Sequence, residues 1–185
     1  MSRFEYLSVL ISIVIALGIS EMASSWGRLL RHRARVRHYW VHALWSLLIT
    51  LMMVEFWWGF WQYRVIVDWS FLGLVAILAE ALVMVLAALV LTPTDPIVEP
   101  LDLRVYYYEN ARVFFVLGLA LIAQLAVVDA LVGKQPFVHV ENLFRAVGLG
   151  VVGWAALSGS ERVHASLAVA GVALLLTFTA FAFTS

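Results

Sequence analysis

The chain has 185 residues, 64% of them hydrophobic and 13% charged, and a mean hydropathy of +0.96. A water-soluble domain carries about 45–50% apolar and about 25% charged residues, so that class is excluded and the solvent for most of the chain is lipid. Twelve basic and twelve acidic residues cancel, which removes any global attraction to nucleic acid, and the lack of cysteine excludes disulfides, thiolate metal sites and a cysteine nucleophile.

A helix needs about 20 apolar residues to cross a hydrocarbon core of about 30 Å. Six stretches approach that length, at 4–26, 39–62, 69–91, 106–131, 143–158 and 163–184. The expected fold is an all-α polytopic bundle of six transmembrane helices forming a single domain. The first stretch has only Arg3 before it and ends in the polar run Ser20 to Ser25, so it reads as a retained helix rather than a cleaved signal peptide. Ser8, Ser12, Ala16, Ser20 and Ser24 recur at every fourth residue, a ridge of small side chains suited to close helix packing within the chain or between subunits. Glu21 shares a face with Gly18, Ser24, Ser25 and Arg28; at roughly 26 Å from Phe4 it falls at the membrane boundary, solvated or paired with an arginine.

The loop at 27–38 carries Arg28, Arg31, Arg33, Arg35 and Arg37, which the positive-inside rule assigns to the cytoplasm. Both termini are then periplasmic. Next to anionic headgroups each basic residue contributes about 1 kcal/mol, so this cluster is expected to fix topology and touch lipid. His38 and His42, at i and i+4, could hold a metal, but without a further ligand nearby in sequence a headgroup-facing turn is the preferred reading and no metal is expected.

In the second stretch Glu55 lies roughly 22 Å from Trp40, in the outer third of the membrane. Trp58, Gly59 and Gln62 follow at +3, +4 and +7, so an acid, an indole and an amide could line one strip and take an organic cation or ligand. The competing reading, an interfacial belt of Trp57, Trp58 and Trp61, fits the same residues. In the third stretch Glu80 lies roughly 16 Å below Trp69, close to the midplane. Gly73, Ala76 and Ala87 share its face, which turns it toward the bundle rather than toward lipid. Desolvation there favours the neutral, protonated acid.

The Pro-rich cytoplasmic link at 92–104 divides the chain into halves of similar spacing, so a 3+3 inverted pseudo-repeat is a further possibility. In the fourth stretch Tyr106, Tyr107 and Tyr108 lie at the inner end, Gln124 lies in the apolar middle and Asp129 near the outer end. Glu21, Glu80, Glu55 and Asp129 are thus staggered from one face of the membrane to the other, as a relay of acids would be. The fifth stretch holds Gly148, Gly150 and Gly153, which suggest close packing and, without a preceding strand, no phosphate fingerprint.

His32, His38, His42, His139 and His164 all fall in loops or near helix ends, which argues against paired haem ligands. The single lysine, Lys134, lies in an outer loop, so a retinal Schiff base is excluded. Hydrolase, protease and nucleotide motifs are absent. An active site built from the Arg cluster with Asp95, Glu99, Asp102 and Glu109 is set aside in favour of lipid contact. No enzyme activity and no cofactor are expected.

The opening Phe4-Glu-Tyr-Leu-Ser-Val-Leu-Ile-Ser-Ile-Val-Ile-Ala-Leu-Gly-Ile-Ser, the Arg-rich loop and the Glu55-Phe-Trp-Trp-Gly run resemble a family of short, uncharacterised bacterial inner-membrane proteins. The likeness covers the first third of the chain and implies a bacterial inner membrane but no activity.

The leading expectation is a transporter or channel that passes protons or small cations through Glu80, Glu55, Gln124, Asp129 and Glu21, in a homo-oligomer, because so short a chain has little interior in which to enclose a path. The alternative is a non-transporting module that binds an apolar ligand, lipid or partner protein through the Trp-rich second stretch and the serine ridge, as a sensor or effector subunit.

Overall fold

The computed structural model describes residues 3–66, 68–93, 100–132 and 139–184, with side chains for all of these except 139–144 and 178–184. It holds six α-helices: α1 (Arg3–Arg31), α2 (Trp40–Gly59), α3 (Phe71–Leu91), α4 (Leu103–Leu131), α5 (His139–Leu157) and α6 (Glu161–Thr184). Helices are what lipid demands, since a backbone in hydrocarbon must satisfy its own N–H and C=O groups. Among the described residues, four segments are long and apolar enough to cross a membrane: α1, α2 with the turn that follows it, α3 and α4. Lys134, Asp95 and Glu99 lie outside the described residues, as does the side chain of His139.

Several helix ends differ from the apolar stretches, for local reasons. The first helix runs on to Arg31, because Arg28 and Arg31 in its last turn complement the helix dipole; these two arginines belong to α1, not to the loop. The α2 helix ends at Gly59 and continues as a 3-10 segment, Phe60–Val65. Its tighter winding takes Gln62 off the α-helical face that carries Glu55 and Trp58. The α3 helix starts at Phe71 because Ser70 caps it, accepting a bond from the Gly73 N–H at 3.0 Å. Asp102 caps α4 in the same way from Arg104 and Val105, so that helix begins at Leu103, ahead of the tyrosine run.

The bundle is built around α3, which packs against α1, α2 and α4; α6 lies on α2, and α5 on α4. Gly18 of α1 marks the tightest approach: a Cβ there would meet Met53 Sδ at 2.7 Å and Val85 Cγ2 at 3.0 Å, so three helices meet at one glycine. At the other end of α3, a Cβ on Gly73 would meet Val132, just past α4, at 2.9 Å. The core runs through Ile11, Ile15, Met22, Ile49, Met53, Ile77, Ala81, Tyr107 and Phe115.

The two connections at one end of the bundle, hereafter the Arg-rich end, pair in a short parallel ladder of β1 (Val36–Arg37) with β2 (Leu101–Asp102). Leu29, Val36 and Leu103 form a small apolar cluster beneath it. This ladder ties the α1–α2 connection to the start of α4 and thereby fixes the Arg-rich end as a unit.

Candidate functional site

Glu80 stands at the centre of α3, roughly 14 Å from Phe71 and roughly 17 Å from Leu91, and is 5% exposed. Gly73, Ala76 and Ala87 on the same face are also buried. The small side chains let α4 close in, and the Gln124 amide uses that closeness to donate across to the Ala76 carbonyl at 2.9 Å.

That bond sets the register of two antiparallel helices. Glu80 lies about 6 Å from the Ala76 level toward the Arg-rich end, and Asp129 about 7.5 Å from the Gln124 level toward the far end. Side chains on a helix lean toward its N-terminus. Glu80 therefore leans toward the far end and Asp129 toward the middle, and each brings its carboxylate nearer the other. The two interact electrostatically, and both act on the Tyr63 hydroxyl.

The Asp129 carboxylate is also ion-paired with Arg145 of α5. Tyr63 stacks edge-on with Trp69, their ring centroids 6.2 Å apart, and the Trp69 indole N–H is buried without a hydrogen-bond partner among the described residues. The far half of the bundle thus assembles two acids, one guanidinium, a phenol and an unsatisfied indole donor from α3, α4, α5 and the α2–α3 connection. Such a set can accept, hold and release a proton or a monovalent cation. Among the described residues no group of three or more His, Asp or Glu is placed to hold a metal ion.

The other residues singled out by sequence lie elsewhere. Glu21 pairs with Arg28 at 2.9 Å, and the same guanidinium donates to the Pro93 carbonyl at 3.1 Å. Arg28 is thereby held against the protein, whereas Arg31, Arg33, Arg35 and Arg37 are exposed, and Arg37 reaches Asp102 at 3.5 Å. Glu55 is half-buried on α2, while Trp58 and Gln62 are exposed. The indole of Trp57 donates to Ser12 of the serine ridge at 2.9 Å, so the ridge serves α1–α2 packing at that point, while Ala16, Ser20 and Ser24 face away from the core.

Two histidines that sequence places near helix ends are in fact core residues. His42 is 3% exposed, and its Nε2–H donates to the Leu91 carbonyl at 2.8 Å. His38 is exposed in the extended segment before α2, so the two do not share a helical face. His164 is fully buried, ringed by Tyr107, Tyr108 and Phe115. The signal available for both was tertiary: Leu91 and Tyr107, their partners, are 49 and 57 residues away.

At the surface of this same end, Arg104 bonds Glu161 at 2.8 Å, and the Tyr39 hydroxyl lies between Tyr108 at 3.2 Å and Glu161 at 3.5 Å. Partial burial, then the neighbouring Tyr108 phenol and Glu161 carboxylate, push the Tyr39 hydroxyl well above its ordinary range. It remains a neutral hydrogen-bonding group. No protein-family model, curated protein or solved structure matches this chain.

Proposed function

We propose that the chain is an integral membrane transporter or channel for protons or small cations, with Glu80 as its central carrier. The observation that carries this reading is a carboxylate buried at the centre of a spanning helix, in electrostatic range of Asp129 and Tyr63. An intramembrane acid is expensive and is kept where it does work. Asp129, itself held by Arg145, gives Glu80 an electrostatic partner toward the far end. Glu55 and Glu21 are auxiliary acids on neighbouring helices.

In this proposal α5 and α6 complete six spans, the two three-helix halves stand inverted about the link at 92–104, and the protein is a homo-oligomer in a bacterial inner membrane with periplasmic termini. The exposed Arg31, Arg33, Arg35 and Arg37 then meet cytoplasmic headgroups.

The test is dissipation of an imposed pH gradient in proteoliposomes by the native chain, Glu80→Gln and Glu55→Gln at matched reconstitution. Glu80→Gln should abolish flux while the purified protein stays monodisperse, and Glu55→Gln should leave part of it. Native protein that passes no protons, with and without a membrane potential, overturns the reading. The apolar-ligand or partner-binding module then becomes the one to pursue, through co-purifying lipid, pigment or protein.

A further inference from the structure

On α2, His42 and Ser46 are buried polar groups that the far-half cluster does not use, and His42 bonds across to α3. His42 is 3% exposed, Ser46 is 1% and Glu80 is 5%. His42 and Ser46 are one helical turn apart on α2 and so share a face. The Leu91 carbonyl can only accept, so His42 carries its hydrogen on Nε2, and the neutral ring presents Nδ1 as its acceptor.

Ser46 is the unusual member. Among the described residues its Oγ is enclosed and has no hydrogen-bond partner. A helical serine can fold back onto the carbonyl one turn earlier, as Thr50 does on this same helix, bonding the Ser46 carbonyl at 2.8 Å. Ser46 does not. A buried hydroxyl without a partner weakens a fold, so packing alone would favour alanine here.

The His42–Leu91 bond also fixes the level of α2 on the antiparallel α3. Counted along antiparallel helices from that bond, Ser46 falls at the level of Ala87, Ile49 at that of Met84 and Met53 at that of Glu80, which sets Ser46 about 10 Å from Glu80 along the axis. At the level of the serine α3 carries the buried Ala87 and Ala88, whose side chains are only methyl groups. The side chains at the intervening levels include Met53 and Met84, whose unbranched thioethers rearrange easily.

We propose that His42 and Ser46 carry protons between the Arg-rich end and Glu80, an inference that rests on proton passage through Glu80. A proton from the Arg-rich end adds to His42 Nδ1. A water between them passes it to Ser46 Oγ as the serine's own proton moves on to a second water, which delivers a proton to the Glu80 carboxylate. His42 and Ser46 end the passage with as many protons as they began with, and the one proton taken up at His42 balances the one gained by Glu80. A hydroxyl can both accept and donate in one such step, which a methyl cannot. Water crosses the remaining gap as Met53 and Met84 give way.

The experiment measures proton flux in proteoliposomes for the native chain, Ser46→Ala, Ser46→Thr, His42→Gln and Glu80→Gln, with thermal denaturation of each in detergent. Ser46→Ala should lower flux about tenfold or more, a barrier increase of about 1.4 kcal/mol, without lowering the melting temperature, and Ser46→Thr should restore it. His42→Gln should lose flux as well. Because the chain has no cysteine, Ser46→Cys supplies an independent reading. A water-soluble thiol reagent should label that variant from the Arg-rich side and block flux.

Native-level flux in Ser46→Ala and His42→Gln beside a dead Glu80→Gln overturns this inference alone. So does a Ser46→Ala loss that threonine fails to repair, or a thiol in the Ser46→Cys variant that no aqueous reagent reaches. A native chain without flux overturns the Glu80 reading and this inference together.

Discussion

The Tyr107 hydroxyl donates to His164 Nδ1 at 2.7 Å and thereby joins α4 to α6. The direction follows from the other ring nitrogen: Nε2 lies 2.8 Å from the Ser158 carbonyl, which can only accept. Nδ1 of the neutral ring is therefore the acceptor. Both side chains are fully buried, and Tyr39 and Tyr108 pack against Tyr107 with ring centroids at 5.8 and 5.1 Å.

Removing that bond has a definite consequence. Tyr107→Phe keeps the ring and its packing but leaves a buried imidazole nitrogen without a donor, which should cost about 1–3 kcal/mol. His164→Phe should cost at least as much, since it also strips the Ser158 carbonyl of its partner. Denaturation of each variant in detergent checks this. Tyr39→Phe, whose hydroxyl is only half-buried, is the control and should change stability less. Equal stability of Tyr107→Phe and the native chain would mean that the bond does not hold α6.

The helical architecture and the inward-facing acid could be read in the sequence because lipid imposes both. Apolar runs of spanning length must close their own backbone bonds, and Glu80 shares its face with Gly73, Ala76 and Ala87, residues that invite a neighbouring helix. What could not be read depends on which helices meet. His164 is the fourth residue of α6, close to a helix end, yet far from water because Tyr107, Tyr108 and Phe115 of α4 close around it. The approach of Asp129 to Glu80 needs the α3–α4 register that Gln124 and Ala76 set, and no spacing within one helix encodes it. The break of α2 at Gly59 likewise follows from the aromatic packing of Phe60 against Phe4, Tyr63 and Trp69, contacts that only the folded chain brings together.

Acid should weaken the Arg-rich end through Asp102. Bonds from the Arg104 and Val105 N–H groups, with the nearby Arg37, hold its carboxyl below the usual aspartate range. The folded chain therefore releases this proton more readily than the unfolded one. The stability it contributes is complete above about pH 4, the unfolded aspartate range, and is lost as pH falls through the lower folded value. Asn at this position can still cap a helix but does not titrate. Asp102→Asn should thus be less stable than the native chain at pH 7, and the gap should close in strong acid. A gap independent of pH would assign the effect to shape rather than charge.

The Asp129–Arg145 pair joins α4 to α5 and also faces the central acid, so its two roles can be separated. The arginine side chain is 18% exposed and the aspartate 41%, which places the pair between surface and core. A pair so exposed contributes about 1 kcal/mol at most, measured as the coupling term of a cycle through Asp129→Asn, Arg145→Gln and the double variant. Exchanging the two, Asp129→Arg with Arg145→Asp, should return most of that coupling. Transport should respond differently. The exchange puts a cation where Asp129 acts on Glu80, so flux should stay low even with stability restored, whereas Asp129→Asn alone should lower it by less than about tenfold, under about 1.4 kcal/mol of barrier. Recovery of flux in the exchanged protein would show that Asp129 serves only to hold α5 in place.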